Sequence, residues 1–333
     1  MKKALRIFGI ILAVAIVLMG AFIYLKFVKK TRISINNPTL PEEIVFVKSD
    51  DDIVNAGVLF NSQKDTVNHI AVIWVHGWGV NFYSPTYISI GRAIAERGYT
   101  CLLVNTRMHD LGNVEGYTIF DKRLRGGGYW GVAGDEVRDI AAWVDFATLQ
   151  GFKKIILVGH SAGWAAVRMY QAERQDIRVA GLVLASGAIS PDSSPIDSSQ
   201  YVQAVRLLSE NKGDELIKDP KRSFPSYISA ATFMDIVNTP PEYKDFFGIQ
   251  TSNAGITKIQ CPLLAFYGTN GDVGNEAELE LMKASIKKQP KGPASVYTAM
   301  IKNADHMYKG EEAQVAEMIT KWTDDILKAG NHK

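Results

Sequence analysis

From about residue 42 onward, apolar runs of strand length alternate with stretches in which apolar residues recur every three or four positions. The runs lie at 44–47, 54–60, 70–75, 101–105, 155–158, 179–185, 262–267 and 294–300. Several, such as Ile155-Ile156-Leu157-Val158, are unbroken by polar residues, the pattern of strands buried on both faces. Between them Val137, Ile140 and Val144 repeat at helical spacing, as do Val315, Met318, Ile319, Trp322 and Ile326 near the end of the chain. The alternation predicts an α/β fold, a mainly parallel sheet with helices on both faces.

Two stretches break the rhythm. Across roughly 190–260 helix-like pieces near 203–208 and 229–237 stand among Pro, Asp and Ser, which reads as an inserted cap. The expected organisation is a core in two parts, 42–190 and 261–333, with the cap at 191–260 between them. The second break, 108–134, is a long loop holding Lys122, Arg123, Arg125 and three consecutive glycines; connections of that length usually serve function. Its basic side chains read as a solvated loop ahead of a carboxylate or headgroup site.

Ahead of the core, no charged side chain occurs from Ile7 to Leu25, and a helix over those positions would reach roughly 28 Å, close to bilayer hydrocarbon thickness. A cleaved signal peptide has a shorter apolar core and a small-x-small site, whereas Phe22, Ile23, Tyr24 and Leu25 stand here. A core helix would carry a single apolar stripe. The expectation is an uncleaved N-terminal transmembrane helix, with an anchor at 1–30 and a polar linker at 31–41. That places the chain at a cell membrane as a single-pass protein, with basic residues flanking both ends of the span.

Charge narrows the partners. The first 32 residues hold seven basic groups and no acidic one; removing those seven from the 37 basic residues of the chain leaves 30 against 35 acidic. A mildly acidic body has no footprint for nucleic acid. Cys101 and Cys261 are too few for a disulfide framework and read as small buried hydrophobes.

The chemistry centres on Gly159-His160-Ser161-Ala162-Gly163, which follows the apolar run at 155–158 and precedes a helix-compatible segment. A sharp strand-to-helix turn lifts a serine above the sheet edge, and Gly159 and Gly163 supply the room that turn needs. Serine requires a base and a group to orient it, arriving in the chain order serine, acid, histidine. Only His306 and His332 lie downstream, and His332 is in the terminal tail, so His306 is the expected base. Asp272, just beyond the run at 262–267, is the expected acid; Asp192 and Asp305 are its rivals. Two backbone amides must meet the oxyanion. Ala162 follows the nucleophile, and Trp78 lies in His76-Gly77-Trp78-Gly79, where Gly77 permits close approach.

With these motifs in this order, residues 42–329 resemble the α/β-hydrolase superfamily, in particular its esterase and lysophospholipase-like members. The resemblance implies an eight-stranded sheet, a cap after the sixth strand, and acyl hydrolysis that needs neither metal nor cofactor. The sequence departs from that pattern at Trp164, bulky where many relatives have glycine, and at Arg107-Met108-His109-Asp110, which replaces a glycine-containing loop. Trp164 is expected to pack and His109-Asp110 to hold loop structure.

The expected function is hydrolysis of a carboxylic ester through an acyl-enzyme. The substrate is a small or lipid-like acyl ester, for which Tyr201, Phe224, Tyr227, Phe233, Tyr243, Phe246 and Phe247 of the cap could form an apolar site or simply pack onto the sheet. The same triad could serve an amidase, peptidase or thioesterase. From another class, a silent membrane-tethered binding protein would keep the fold without the chemistry.

Overall fold

A computed structural model describes residues 12–21, 41–62, 69–115, 124–190, 196–218 and 227–330. All eight predicted runs form strands, and all eight join one sheet. In chain order these are β1 (Glu42–Lys48), β2 (Val54–Phe60), β3 (Ile70–Val75), β4 (Thr100–Val104), β7 (Lys154–His160), β8 (Val179–Ala185), β11 (Leu263–Gly268) and β12 (Val296–Ile301). Their spatial order is β1-β2-β4-β3-β7-β8-β11-β12. β2 is antiparallel to both of its neighbours, and the other pairs are parallel.

Strand geometry sends successive side chains to opposite faces, and the two cores follow that alternation. Ala71, Ile73 and Val75 of β3 join Ile155 and Leu157 of β7 in one cluster, while Ile70, Val72 and Trp74 join Ile156 and Val158 in the other. Helices α3 (Glu136–Leu149), α4 (Gly163–Arg174) and α8 (Glu276–Lys288) cover the first face through Trp143, Val167 and Met282. Helices α2 (Pro85–Glu96) and α9 (Glu312–Gly330) cover the second through Tyr87, Ile90, Val315 and Trp322. Every residue of β3 is buried, as its unbroken apolar sequence predicts. From β3 the chain moves one way to β4 and later the other way to β7, so the sheet reverses direction of winding between β3 and β7. Ligands in such sheets gather at the carboxyl ends of strands at this reversal.

The described residues between β8 and β11 stay outside the main sheet. Helix α5 (Ser198–Ser209) is capped by Asp197, whose side chain accepts from the amides of Ser199 and Gln200. A short pair, β9 (Leu216–Lys218) and β10 (Tyr227–Ser229), leads to α6 (Ala230–Asn238), capped by Ser229. Ala204, Leu207, Ile217, Ile228, Ala230 and Phe233 give these elements a small core of their own. The helical period misses the β9–β10 pair, because three-residue strands carry too few positions to show one.

Within the long loop after β4 a second pair forms, β5 (Asn113–Glu115) with β6 (Leu124–Gly126); Lys122 and Arg123 lie outside the described residues. The guanidinium of Arg125 lies 5.5 Å from the centre of the Trp130 ring. Gly127 adopts φ +85°, and a Cβ on Gly128 would come within 2.5 Å of the Trp78 indole.

At the N-terminus a helix, α1, covers 12–21, and its apolar side chains are exposed. At 1.5 Å per residue it reaches roughly 15 Å, about half of a bilayer core. No helix among the described residues is long and apolar enough to cross a membrane. The expected transmembrane helix is therefore not found as a spanning element; the rest of the 1–30 anchor, and the linker but for its last residue, lie outside the described residues.

Candidate active site

β7 ends at His160 and α4 begins at Gly163, so Ser161 and Ala162 make the whole turn between strand and helix. Ser161 sits at φ +52°, a left-handed conformation that costs a residue with a Cβ of order 1 kcal/mol or more. The surroundings hold it there. Its amide donates to the Ala185 carbonyl at 2.9 Å, and its own carbonyl accepts from Trp164 at 3.1 Å. A Cβ on Gly159 would lie 2.3 Å from the Gly163 carbonyl oxygen, and one on Gly163 would lie 2.4 Å from that of His76. The two glycines are therefore required by backbone packed against backbone. Gly77 completes the enclosure: a Cβ there would stand 2.9 Å from that of Ser161.

The predicted base and acid arrive at this turn. His306 Nε2 lies 3.1 Å from Ser161 Oγ, and its Nδ1 lies 2.8 Å from Asp272 Oδ1. A carboxylate can only accept, so the proton resides on Nδ1 and the Nε2 lone pair faces the serine hydroxyl. Asp272 follows β11, and the loop after β12 carries His306, adjacent parallel strands whose carboxyl ends meet here. Burial favours a protonated Asp272, but hydrogen bonds from His306, Ser186 and the amides of Gly268 and Val273 together hold the carboxyl below its ordinary value. Of the rival acids, Asp305 accepts from the amides of Met307 and Lys309 at 2.9 and 3.0 Å, closing its own turn. Asp192 lies outside the described residues.

Four side chains around this array, Ser186, Tyr308, His160 and Tyr87, have no role marked by the sequence motifs. Ser186, at φ +51° just beyond β8, donates to Asp272 Oδ2 and also meets the hydroxyl of the buried Tyr308. His160, the variable position of the nucleophile turn, is buried and makes two hydrogen bonds. Its Nε2 faces the His306 carbonyl at 2.8 Å and its Nδ1 faces the Tyr87 hydroxyl at 2.6 Å. Since a carbonyl only accepts, Nε2 carries the proton and Nδ1 accepts from Tyr87. Burial pushes His160 down to about 3, so the ring is neutral. Tyr87 in turn accepts from the Gly77 amide at 3.3 Å, which links the loop after β3 to the loop bearing His306.

The loop holding Trp78 follows β3 directly, and the Trp78 indole donates to the Gly128 carbonyl at 3.0 Å. His76, neutral because burial lowers it to about 4, donates from Nδ1 to the Gly77 carbonyl at 2.7 Å and accepts at Nε2 from the Thr106 amide at 3.1 Å. The loop after β3 is thus tied in place beside Ser161, through Gly128 and Thr106. His109 and Asp110 hold loop structure: Asp110 accepts from Asn81 at 2.6 Å and pairs with His109 at 2.9 Å.

A cleft of about 250 Å³ opens beside Ser161, bounded by Ala162, Trp164, Ala165, Arg168, Ala188 and Val273 among others. Trp164 is buried, stacked on Tyr267 with ring centres 6.2 Å apart, and it edges the cleft as well as packing. Of the aromatic residues expected to line an acyl site, Tyr243, Phe246 and Phe247 are buried in the main core and Phe233 in the smaller one. Tyr201 and Tyr227 are exposed, and Phe224 lies outside the described residues. Among the described residues, no group of three or more His, Cys, Asp or Glu side chains is placed to hold a metal ion.

The α/β hydrolase fold family model matches residues 70–213. No curated protein matches the chain by sequence. Among solved structures, Est1E from Butyrivibrio proteoclasticus with bound ferulic acid superposes with TM-score 0.58 at 18% identity, over 85% of this chain and 99% of that one. An esterase domain from Rhodothermus marinus gives TM-score 0.52 at 15% identity over 85% and 98%. The Pyrococcus furiosus esterase Pf2001 gives 0.54 at 16% over 90% and 96%. The sheet order, the nucleophile turn and these matches agree: the chain has the α/β-hydrolase fold and resembles the esterases that share it.

Proposed function

We propose that the chain is a serine hydrolase that cleaves a carboxylic ester through an acyl-enzyme. The observation that carries this reading is the continuous line Ser161 Oγ, His306 Nε2, His306 Nδ1, Asp272 Oδ1, with contacts of 3.1 and 2.8 Å, at a serine held in a left-handed turn. In this reading His306 removes the hydroxyl proton as Ser161 attacks the acyl carbonyl, and Asp272 steadies the imidazolium that forms. The amides of Ala162 and Trp78 receive the oxyanion, each such donor being worth about 2.7 to 4 kcal/mol in comparable sites. The protonated His306 then gives its proton to the departing alkoxide; neutral again, it takes a proton from the water that attacks the acyl carbonyl and returns one to Ser161 Oγ as the carboxylic acid leaves.

The N-terminal segment belongs to the proposal as a tether to a membrane, supported by the uncharged run from Ile7 to Leu25. A chain starting near Ser34 should then be active and leave the membrane fraction. The catalytic reading is tested by a fluorophosphonate probe: wild type should label, and Ser161→Ala should not. Equal labelling of the two, or no labelling of wild type, overturns it.

A further inference from the structure

Arg168 stands on α4 seven residues after Ser161, two helical turns or about 10 Å along the axis. Helical side chains lean toward the N-terminus, here toward the serine. Arg168 borders the same cleft as Ser161. Its guanidinium lies 4.7 Å from the centre of the Phe246 ring and 5.7 Å from that of Phe247. Stacking of this kind uses the flat face of the guanidinium and leaves its N–H edge to form paired hydrogen bonds.

Among the described residues no carboxylate meets that edge. Among the described residues Arg168 has neither an ion pair nor a hydrogen bond, whereas the other arginines at depth are matched: Arg107 with Asp139 and Asp51 at 2.9 and 2.8 Å, Arg178 with Asp176 and Asp145 at 2.6 and 2.7 Å. Among the described residues none that bounds the cleft is acidic. Burial lowers Arg168 to about 10, which leaves it cationic at neutral pH. Arg168 is half-buried, and a cation held beside the cleft with no protein partner is free to pair with an anion that enters it.

Resting on the serine-hydrolase reading above, we propose that this cleft selects esters carrying an anionic group, a carboxylate, which the exposed edge of the Arg168 guanidinium binds while Ser161 meets the acyl carbonyl. The selected substrate class is then a monoester of a short dicarboxylic acid or an ester of a carboxylate-bearing alcohol, and the cap supplies Phe246 and Phe247 as the platform that fixes Arg168.

The test is steady-state hydrolysis by the full chain of two matched pairs, with rates corrected for alkaline reactivity. One pair places the charge on the acyl side: mono-p-nitrophenyl glutarate against its methyl ester. The other places it on the leaving group: 4-acetoxybenzoate against methyl 4-acetoxybenzoate. Wild type should favour the anionic member of one pair in kcat/KM by about 10- to 100-fold, the value of a hydrogen-bonded charge pair, and the pair that responds identifies the side. Arg168→Met should bring that ratio close to one, and Arg168→Lys should restore part of it. A role confined to packing on Phe246 would change both members of a pair alike. Fluorophosphonate labelling of Ser161 without an anionic preference in either pair, or a preference that survives in Arg168→Met, overturns this inference alone. No labelling and no hydrolysis of any ester overturns the hydrolase reading together with it.

Discussion

His160 donates from Nε2 to the main-chain carbonyl of His306 at 2.8 Å. The residue before the nucleophile thereby fixes the backbone of the residue expected to activate it. The ring also accepts from Tyr87, which reaches the Gly77 amide, so one buried imidazole joins the nucleophile turn, the base and the loop after β3. Leu at this position would keep bulk but leave the His306 carbonyl and the Tyr87 hydroxyl without this partner, each at about 1 to 3 kcal/mol. His160→Leu should therefore lower the melting temperature and reduce kcat by at least about tenfold, with KM changed less, because the base is misplaced and the cleft is not. Steady-state kinetics and thermal unfolding of the variant check this; unchanged kcat in a folded variant contradicts it.

Stability should peak near pH 6.5. His76 and His160 are lowered from 6.5 to about 4 and about 3, so below pH 6.5 the unfolded chain takes up protons that the native state refuses. Their contribution is complete above 6.5 and fades as pH falls toward those values. Glu136 runs the other way. Burial raises it from 4.5 to about 8, against the hydrogen bond it accepts from Thr106, so its native proton is lost by the unfolded chain above 4.5 and stability declines as pH rises toward 8. Each unmatched proton changes stability by about 1.4 kcal/mol per pH unit. Two histidines outweigh one glutamic acid on the acid side, and Glu136 dominates between 6.5 and 8. Urea midpoints across pH 4.5 to 8 should trace this dome, and Glu136→Gln should flatten its alkaline limb. The same alkaline slope in that variant contradicts the assignment.

Gly163 lies where the first turn of α4 meets the backbone after β3, and an added Cβ would meet carbonyl oxygens of His76 at 2.4 Å and Val75 at 2.7 Å. Neither oxygen can yield without moving β3. Gly163→Ala should cost about 3 kcal/mol and with it most activity, whereas Ala165→Gly on the same helix should cost only about 1. Chemical denaturation of both variants separates a steric requirement from simple helix propensity; similar losses would contradict it.

The eight-stranded sheet was legible because every strand in it is long enough to show an unbroken or alternating apolar run, and the nucleophile turn because it joins such a strand to a helix. His306 was legible by elimination among the downstream histidines and Asp272 from its place just beyond the run at 262–267, where chain order leaves Asp192 and Asp305 as rivals. Ser186, Tyr308 and His160 were not, since each acts through folding that brings together β8, the loop after β12 and α2, distant in sequence. Arg168 was hidden for a different reason. On a helix an arginine reads as a solvent-facing position, and only the packing of Phe246 and Phe247 over it turns that position inward. For the cap aromatics composition leaves an acyl site and packing onto the sheet both open, and the packing places Tyr243, Phe246 and Phe247 in the core.

Asp272 accepts from four groups, His306 among them at 2.8 Å. An amide there can present its NH2 to Nδ1 and reverse the imidazole tautomer. Asp272→Asn should lower kcat by on the order of 10⁴-fold while the fold is kept, as expected when the orienting carboxylate is lost. A larger loss in Asp192→Asn than in Asp272→Asn would transfer the role to Asp192.

The account stands on Ser161 becoming acylated. Rapid acid quench of wild type with a p-nitrophenyl ester, followed by peptide mass spectrometry, should show the acyl mass on the peptide containing Ser161, accumulating with a burst of p-nitrophenol and absent in Ser161→Ala. Turnover without that adduct under single-turnover sampling, or an adduct on another residue, would contradict it.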